Sequence, residues 1–305
     1  MGSVNASLDT RWPSAATLLH TGPAPGRRAV GLLGAHTYLT SVTPRSATST
    51  PRAIRDALER FSTWSFSDEQ DLVDHVSVVD YGDVEHPDGD EGAQRIARAV
   101  GDFDPQLALR IFLGGDNALT WHALRAVAGP DLSNYGLITL DAHLDLRDGV
   151  SNGSPVRQLL EAGLEGQHVV QVGLADFSNS AFYARRARDE HVTVISRDAI
   201  RSESVEDVAR RALTLAGAGG RPIYVDIDMD AGDRSVVPGC PAAAPGGFSA
   251  DEMRRFVRTL ASHTQVCALD ITEIDVERDS ADQRTVRLAA LLVLEALSGV
   301  SRRIQ

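Results

Sequence analysis

The chain contains no lysine, so all 30 of its basic residues are arginine. That excludes lysine Schiff-base chemistry and the phosphate-cradling lysine of Walker-type loops. Only two cysteines are present, Cys240 and Cys267, too few for a disulfide framework. No apolar run is long enough to span a membrane. Residues Met1 to Pro25 have neither a continuous apolar core nor a basic start, so no signal peptide is expected and a reducing cytoplasm is the expected location. The net charge is -12, with no acidic tail to account for it. A nucleic-acid binder would normally show a basic face, so no such partner is expected, and none in the membrane.

What is there is an alternation of strand-like and helix-like segments in 305 residues, enough for one large α/β domain. The 43% hydrophobic and 24% charged shares are ordinary for a globular chain. Residues 1–28 are rich in Ser, Thr, Pro, Gly and Ala and read as a lightly ordered arm; residues 29–305 read as a single catalytic domain. Helical periodicity marks Pro51–Phe61, Glu91–Val100, Thr120–Val127, Pro155–Leu160, Ala181–Glu190, Val205–Leu215, Ala250–Ser262 and Ala281–Leu297. Ser249 with Glu252 predicts a capping box. The expected fold is a three-layer α-β-α sandwich around a mostly parallel sheet.

Four segments that follow strand-like runs carry acidic and imidazole groups. They are Gly114-Gly115-Asp116-Asn117, Asp141-Ala142-His143-Leu144-Asp145, Asp226-Ile227-Asp228-Met229-Asp230 and Asp270-Ile271-Thr272-Glu273. A parallel sheet delivers the carboxyl ends of its strands to one crevice. Carboxylates crowded there repel one another unless cations neutralise them. If strand geometry continues through them, Asp141, His143 and Asp145 share one face, as do Asp226 and Asp228.

In these motifs the chain resembles the ureohydrolases: arginase, agmatinase, proclavaminate amidinohydrolase and formimidoylglutamase. The family pattern is Gly-Gly-Asp-His, Asp-Ala-His-x-Asp, Asp-x-Asp-x-x-Asp and Asp-x-x-Glu. The second and fourth are matched in full, the third in its first two acids; Asp230 and Asp233 have shifted spacing, so neither is carried over. The resemblance implies an arginase-like fold and two metals, usually Mn²⁺, held by Asn117, Asp141, His143, Asp145, Asp226 and Asp228, with Asp141 and Asp226 bridging. It also implies a homo-oligomer. Asn117 stands where the family has histidine, so the metal that it faces is expected to bind weakly or not at all. Metals about 3.5–4 Å apart can share a water and bring its pKa toward about 7.

Three further residues bear on the substrate. Arg147 follows Asp145 by two residues and could hold a carboxylate bidentately. Asn152 stands where arginases carry a histidine, and Arg157 is either a second carboxylate anchor or a helix-start residue. Asp-Ala-His-Leu-Asp-Leu-Arg is most similar to formimidoylglutamases. The resemblance therefore implies hydrolysis of N-formimidoyl-L-glutamate to glutamate and formamide, with Asp145 as proton carrier and Glu273 receiving the amidinium. The alternatives are a guanidino-acid hydrolase or agmatinase that releases urea, and a metal-depleted binding or regulatory relative.

Overall fold

The computed structural model describes residues 11–20 and 23–303. Ten strands form along the chain: β1 (Arg28–Ala35), β2 (Trp64–Ser65), β3 (Gln70–Asp71), β4 (Val76–Asp83), β5 (Leu109–Gly114), β6 (Gly136–Leu140), β7 (Val169–Leu174), β8 (Thr193–Ser196), β9 (Ile223–Asp228) and β10 (Val266–Thr272). The α-helices are α1 (Thr50–Leu58), α2 (Gly89–Gly101), α3 (Ala118–Ala128), α4 (Pro155–Glu161), α5 (Ala181–Asp189), α6 (Val205–Ala216), α7 (Ala250–Ala261) and α8 (Arg284–Ser301). Eight strands build one sheet in the order β4-β1-β5-β10-β9-β6-β7-β8, and β2 with β3 makes a separate short ribbon. Every pairing in the large sheet is parallel.

Two apolar cores lie on the two faces of this sheet. Ile54 of α1, Val208 of α6, Phe256 of α7 and Leu292 of α8 pack on one. Ile96 of α2, Leu119 of α3, Val156 of α4 and Ala187 of α5 pack on the other. Strand alternation sorts the side chains between them. Along β9, Ile223, Val225 and Ile227 join the first core. Tyr224 joins the second, and Asp226 and Asp228 point the same way, up the strand toward its carboxyl end.

The three-layer architecture is the one expected, and each of the eight expected helices is found. The capping box forms, with Ser249 Oγ accepting from Glu252 N and the Glu252 carboxylate accepting from Ser249 N. Differences lie at the ends of the strands. β9 runs through Asp226 to Asp228, and β10 runs through Asp270 to Thr272. Asp226 and Asp270 are therefore paired neighbours inside the sheet, not residues beyond its edge. β6 stops at Leu140, and Asp145 has a φ of 51°, so the Asp141–Asp145 segment is a turn where a strand was expected to continue. The arm expected over 1–28 lies partly outside the described residues. Within it Ala15–His20 forms a 3₁₀ turn that buries Ala15 and Leu18 in the first core, because these apolar residues find α1 and β4 to cover.

Candidate metal centre

The centre forms where β5, β6, β9 and β10 end side by side. Asp141, Asp145, Asp228 and Asp230 are all at most 6% exposed, and His143 lies at their open side. His143 Nδ1 is 2.7 Å from Asp230 Oδ2, and Asp230 Oδ1 accepts from Ala142 N at 3.0 Å. His143 N donates to Asp141 Oδ1 at 2.6 Å. Asn179 fixes the other side of the turn, accepting from Leu144 N and donating to Ala142 O. Ligand atoms of Asp141, His143 and Asp230 fall within 4.8 Å of one another, and so do those of Asp228, Cys240 and Glu273.

The electrostatics show how far this cluster departs from comfort. Burial pushes Asp141, Asp226 and Asp228 well above the usual carboxylate range, and their acidic neighbours add to it. Burial also raises Asp145, to about 7, against the pull of His143. Burial pulls His143 down, but its bond to Asp230 and the field of Asp145 and Asp228 prevail and lift it to about 9. Asp230 alone falls: burial would raise it, and its bond to His143 outweighs that. Asp141 Oδ2 and Asp226 Oδ1 are buried without a hydrogen-bond partner among the described residues. The donor set thus fits a pair of divalent cations. Four carboxylates would balance two such ions, and an oxygen-rich shell with one imidazole suits a hard ion better than Zn²⁺.

Three of the expected ligands, Asn117, Asp141 and Asp226, lie outside the lining of the cavity. Asp226 lies one pleat below Asp228 and, like Asp141, does not line the cavity over the cluster. It shares a buried tier with Asp270, which Tyr224 Oη and Thr120 Oγ1 contact at 2.7 and 2.9 Å. Asp270 sits near 6, lifted by burial and held back by these bonds. Asp230 lines the cavity beside His143. The sequence held a signal for this. Read from Asp228, the segment Asp228-Met-Asp230-Ala-Gly-Asp233 has the full Asp-x-Asp-x-x-Asp spacing.

Asn117 stands at the start of α3. Its Oδ1 meets the hydroxyls of Thr120 and Thr272 at 2.8 and 2.9 Å. Its Nδ2 faces Asp145 Oδ2 at 2.6 Å and Asp226 Oδ2 at 3.4 Å. A hydroxyl can donate to the amide oxygen, so the NH₂ is the end turned toward the carboxylates. In this arrangement Asn117 steadies Asp145 and turns its oxygen toward the two threonines. Asn117→His is expected to raise cation affinity, because an imidazole replaces an amide that presents only N–H. It should also lower the melting temperature, since Thr120 and Thr272 lose their acceptor. Calorimetric titration checks the first effect; equal or weaker binding would mean that the site is complete without this position. His122 of α3 lines a different cleft, between α2 and α3.

A cavity of about 340 Å³ opens over the cluster, lined by His143, Asp145, Arg147, Asn152, Glu273 and Arg45 among others. Glu273 is 1% exposed, with a φ of 66°. Its Oε1 accepts from Asn117 N at 2.8 Å and from Asn152 Nδ2 at 2.9 Å. Its Oε2 meets the Arg45 guanidinium. Asn152 also accepts from Val42 N at 2.9 Å, so it joins a neighbouring loop to Glu273. Arg147 lines the mouth and forms no side-chain hydrogen bond or ion pair among the described residues; Asp148 pairs with Arg186 instead. A Cβ at Gly153 would come within 2.8 Å of Arg147 Cδ, so a larger residue there would push this stem aside.

Arg157 is not an anchor in the cavity. Its donors go to Arg147 O at 2.7 Å, to Gly149 O and to Glu161, because it sits on the first turn of α4 beneath this loop. It braces the backbone that carries Arg147. The sequence reading missed Arg45, which stands in no motif near the acidic strand ends. Cys240 is a buried thiol raised well above its usual range by its surroundings, burial first.

These shifts predict how stability should vary with pH. Asp145 is raised from its unfolded value, so its contribution is full in acid and is lost as pH rises through about 7. His143 contributes fully below its unfolded pKa and loses that contribution as pH rises through about 9. Chelator-treated protein should therefore melt lower at about pH 8.5 than at about pH 6, at roughly 2–4 °C per kcal/mol lost. Divalent cation should remove most of the difference by replacing protons. Thermal melts with and without chelator check this; the same pH slope in both would refute it.

A cavity lined by buried carboxylates and one imidazole, at the carboxyl end of a parallel sheet, defines a metal-dependent hydrolase of the α/β class. The chain belongs to the arginase family, whose model matches residues 28–299. It is 34% identical over 288 residues to the formimidoylglutamase of Halalkalibacterium halodurans, covering 91% of this chain and 89% of that one. The crystal structure of formimidoylglutamase from Bacillus subtilis superposes with a TM-score of 0.89 at 29% identity, covering 100% of this chain and 97% of that one. Formiminoglutamase of Trypanosoma cruzi, in a structure with Mn²⁺, shares the fold with a TM-score of 0.86 at 22% identity, covering 96% and 100%.

Proposed function

We propose that this chain is a manganese-dependent formimidoylglutamase, which hydrolyses N-formimidoyl-L-glutamate to L-glutamate and formamide. Arg147 carries the reading. It is an unpaired guanidinium at the mouth of an acidic cavity, where an otherwise cation-seeking site has a place for a carboxylate. The related formimidoylglutamases support the same choice. Agmatine, which ends in an amine, would give Arg147 nothing to hold.

Asp141, His143, Asp145, Asp228 and Asp230 would hold the two metals. When bound, such a pair supplies a water molecule acidified enough to attack near neutral pH. The chain's own groups do the rest. Glu273 receives the amidinium N–H groups and aligns the formimidoyl carbon. Asp145, held by Asn117, accepts a proton from the attacking water and delivers it to the glutamate nitrogen as the C–N bond breaks. Arg147 fixes the distal carboxylate.

The test is a substrate panel with purified, manganese-loaded protein. Formamide should appear from N-formimidoyl-L-glutamate, and little urea from agmatine or guanidino acids. Urea release at the greater kcat/KM would transfer the assignment to a guanidino-hydrolase.

A further inference from the structure

The group that should receive a cationic substrate already has a cation on it. Arg45 is 1% exposed in its side chain, and its Nη2 lies against Glu273 Oε2. Its Nε and Nη1 are buried and have no hydrogen-bond partner among the described residues. Unpaired buried N–H groups on a guanidinium are costly, and the resting pair leaves them so.

The position of Arg45 is fixed from outside. Ser46 Oγ donates to Asp275 Oδ1 at 2.9 Å, and Ser46 O faces His36 Nε2 at 3.2 Å. Arg278 Nη2 holds Pro44 O at 3.0 Å. The segment is therefore built to present this guanidinium at the floor of the cavity. Among the described residues, Arg45 and Arg147 are the two arginines that line it.

The substrate class proposed above carries an amidinium and two carboxylates. Its α-carboxylate carbon is three bonds from the formimidoyl carbon, and its γ-carboxylate carbon is five. An anchor for the α-carboxylate must therefore stand beside the residue that holds the amidinium. Arg45 stands there, whereas Arg147 at the mouth suits the γ-carboxylate. The geometry points to Arg45 as the anchor of the α-carboxylate. Glu273 exchanges Arg45 for the amidinium, and Arg45 turns its free donors to the carboxylate that arrives with it. One ion pair becomes two, and no charge is left buried alone. This inference rests on the formimidoyl reading.

Three substrates separate the roles: N-formimidoyl-L-glutamate; N-formimidoyl-4-aminobutyrate, which lacks the α-carboxylate; and N-formimidoyl-L-alanine, which lacks the distal one. In Arg45→Gln, the wild-type preference for the first over the second in kcat/KM should fall by at least about 30-fold, from the loss of a charged pair. Its preference for the first over the third should remain. Arg147→Ala should show the reverse pattern. If Arg45→Gln slows all three substrates equally, Arg45 only holds Glu273 in place and the inference fails. If that variant does not fold, Arg45→Lys answers the question: it keeps the charge and loses the fork, so the first preference should still drop, and an unchanged preference overturns the proposal. Wild-type protein that releases formamide from none of the three would sink the functional reading and this one with it. Formamide release with the preferences intact in both Arg45 variants would sink this one alone.

Discussion

Asp228→Ala is expected to abolish cation binding and activity together, while Asp226→Asn keeps the bound cations. The two residues are two positions apart on one strand and face the same way, and only one of them reaches the cavity. Removing Asp228 deletes a carboxylate from the shell and leaves Asp141, Asp145 and Asp230 short of a partner for any cation. Loss of the acidified water should take kcat/KM down by roughly 10⁴-fold or more, given that enzymes accelerate reactions by about 10⁶-fold or more. Asp226→Asn preserves shape in the tier below and leaves the five donors in place. It should change stability little, because the amide can still donate to Asp270 and removes an acidic neighbour that opposes its charge. Metal content after gel filtration, beside a kinetic assay, distinguishes the two. Equal metal loss in both variants would return Asp226 to the shell.

Arg147→Ala should lower kcat/KM for N-formimidoyl-L-glutamate by roughly 30-fold to 1000-fold, the scale of losing one partner of a charged pair. Metal content should not change, since this guanidinium stands at the mouth and contacts none of the cluster. Any agmatine hydrolysis should not fall in parallel, because that substrate brings no carboxylate. Steady-state kinetics on both compounds decides it. Wild-type kcat/KM in the variant would make Arg147 a surface residue and remove the main reason for choosing this substrate.

The fold was readable because its signals are local. Helix periodicity, the Ser249–Glu252 cap and the apolar strands each follow from a few neighbouring residues, and all appear where expected. The cluster was readable in its chemistry but not fully in its membership. Asp226, Asp228 and Asp230 alternate, and spacing alone does not say which of them lie below the strand's end. That depends on where β9 stops, which its pairing with β10 decides. Asn117 was ambiguous for a similar reason: its type offers an oxygen to a metal, and here nearby Thr120 and the distant Thr272 both claim that oxygen. Arg157 was ambiguous until the Arg147 and Gly149 carbonyls were seen to claim it. Arg45 is more than 200 residues from Glu273 in the chain, and only the folded structure brings them together.

The room that Gly153 leaves for Arg147 has a thermodynamic meaning. An exposed arginine carries about 2 kcal/mol of rotamer entropy, much of which a free side chain surrenders when it grips a ligand. Here the Arg147 stem runs through space that a Cβ at residue 153 would take, so Gly153 leaves open the rotamer in which the guanidinium stands over the cavity. Keeping that rotamer open lowers the cost of ordering it and so strengthens binding without adding a contact. Gly153 would thus contribute to affinity by what it lacks, through the conformation that it leaves open to its neighbour.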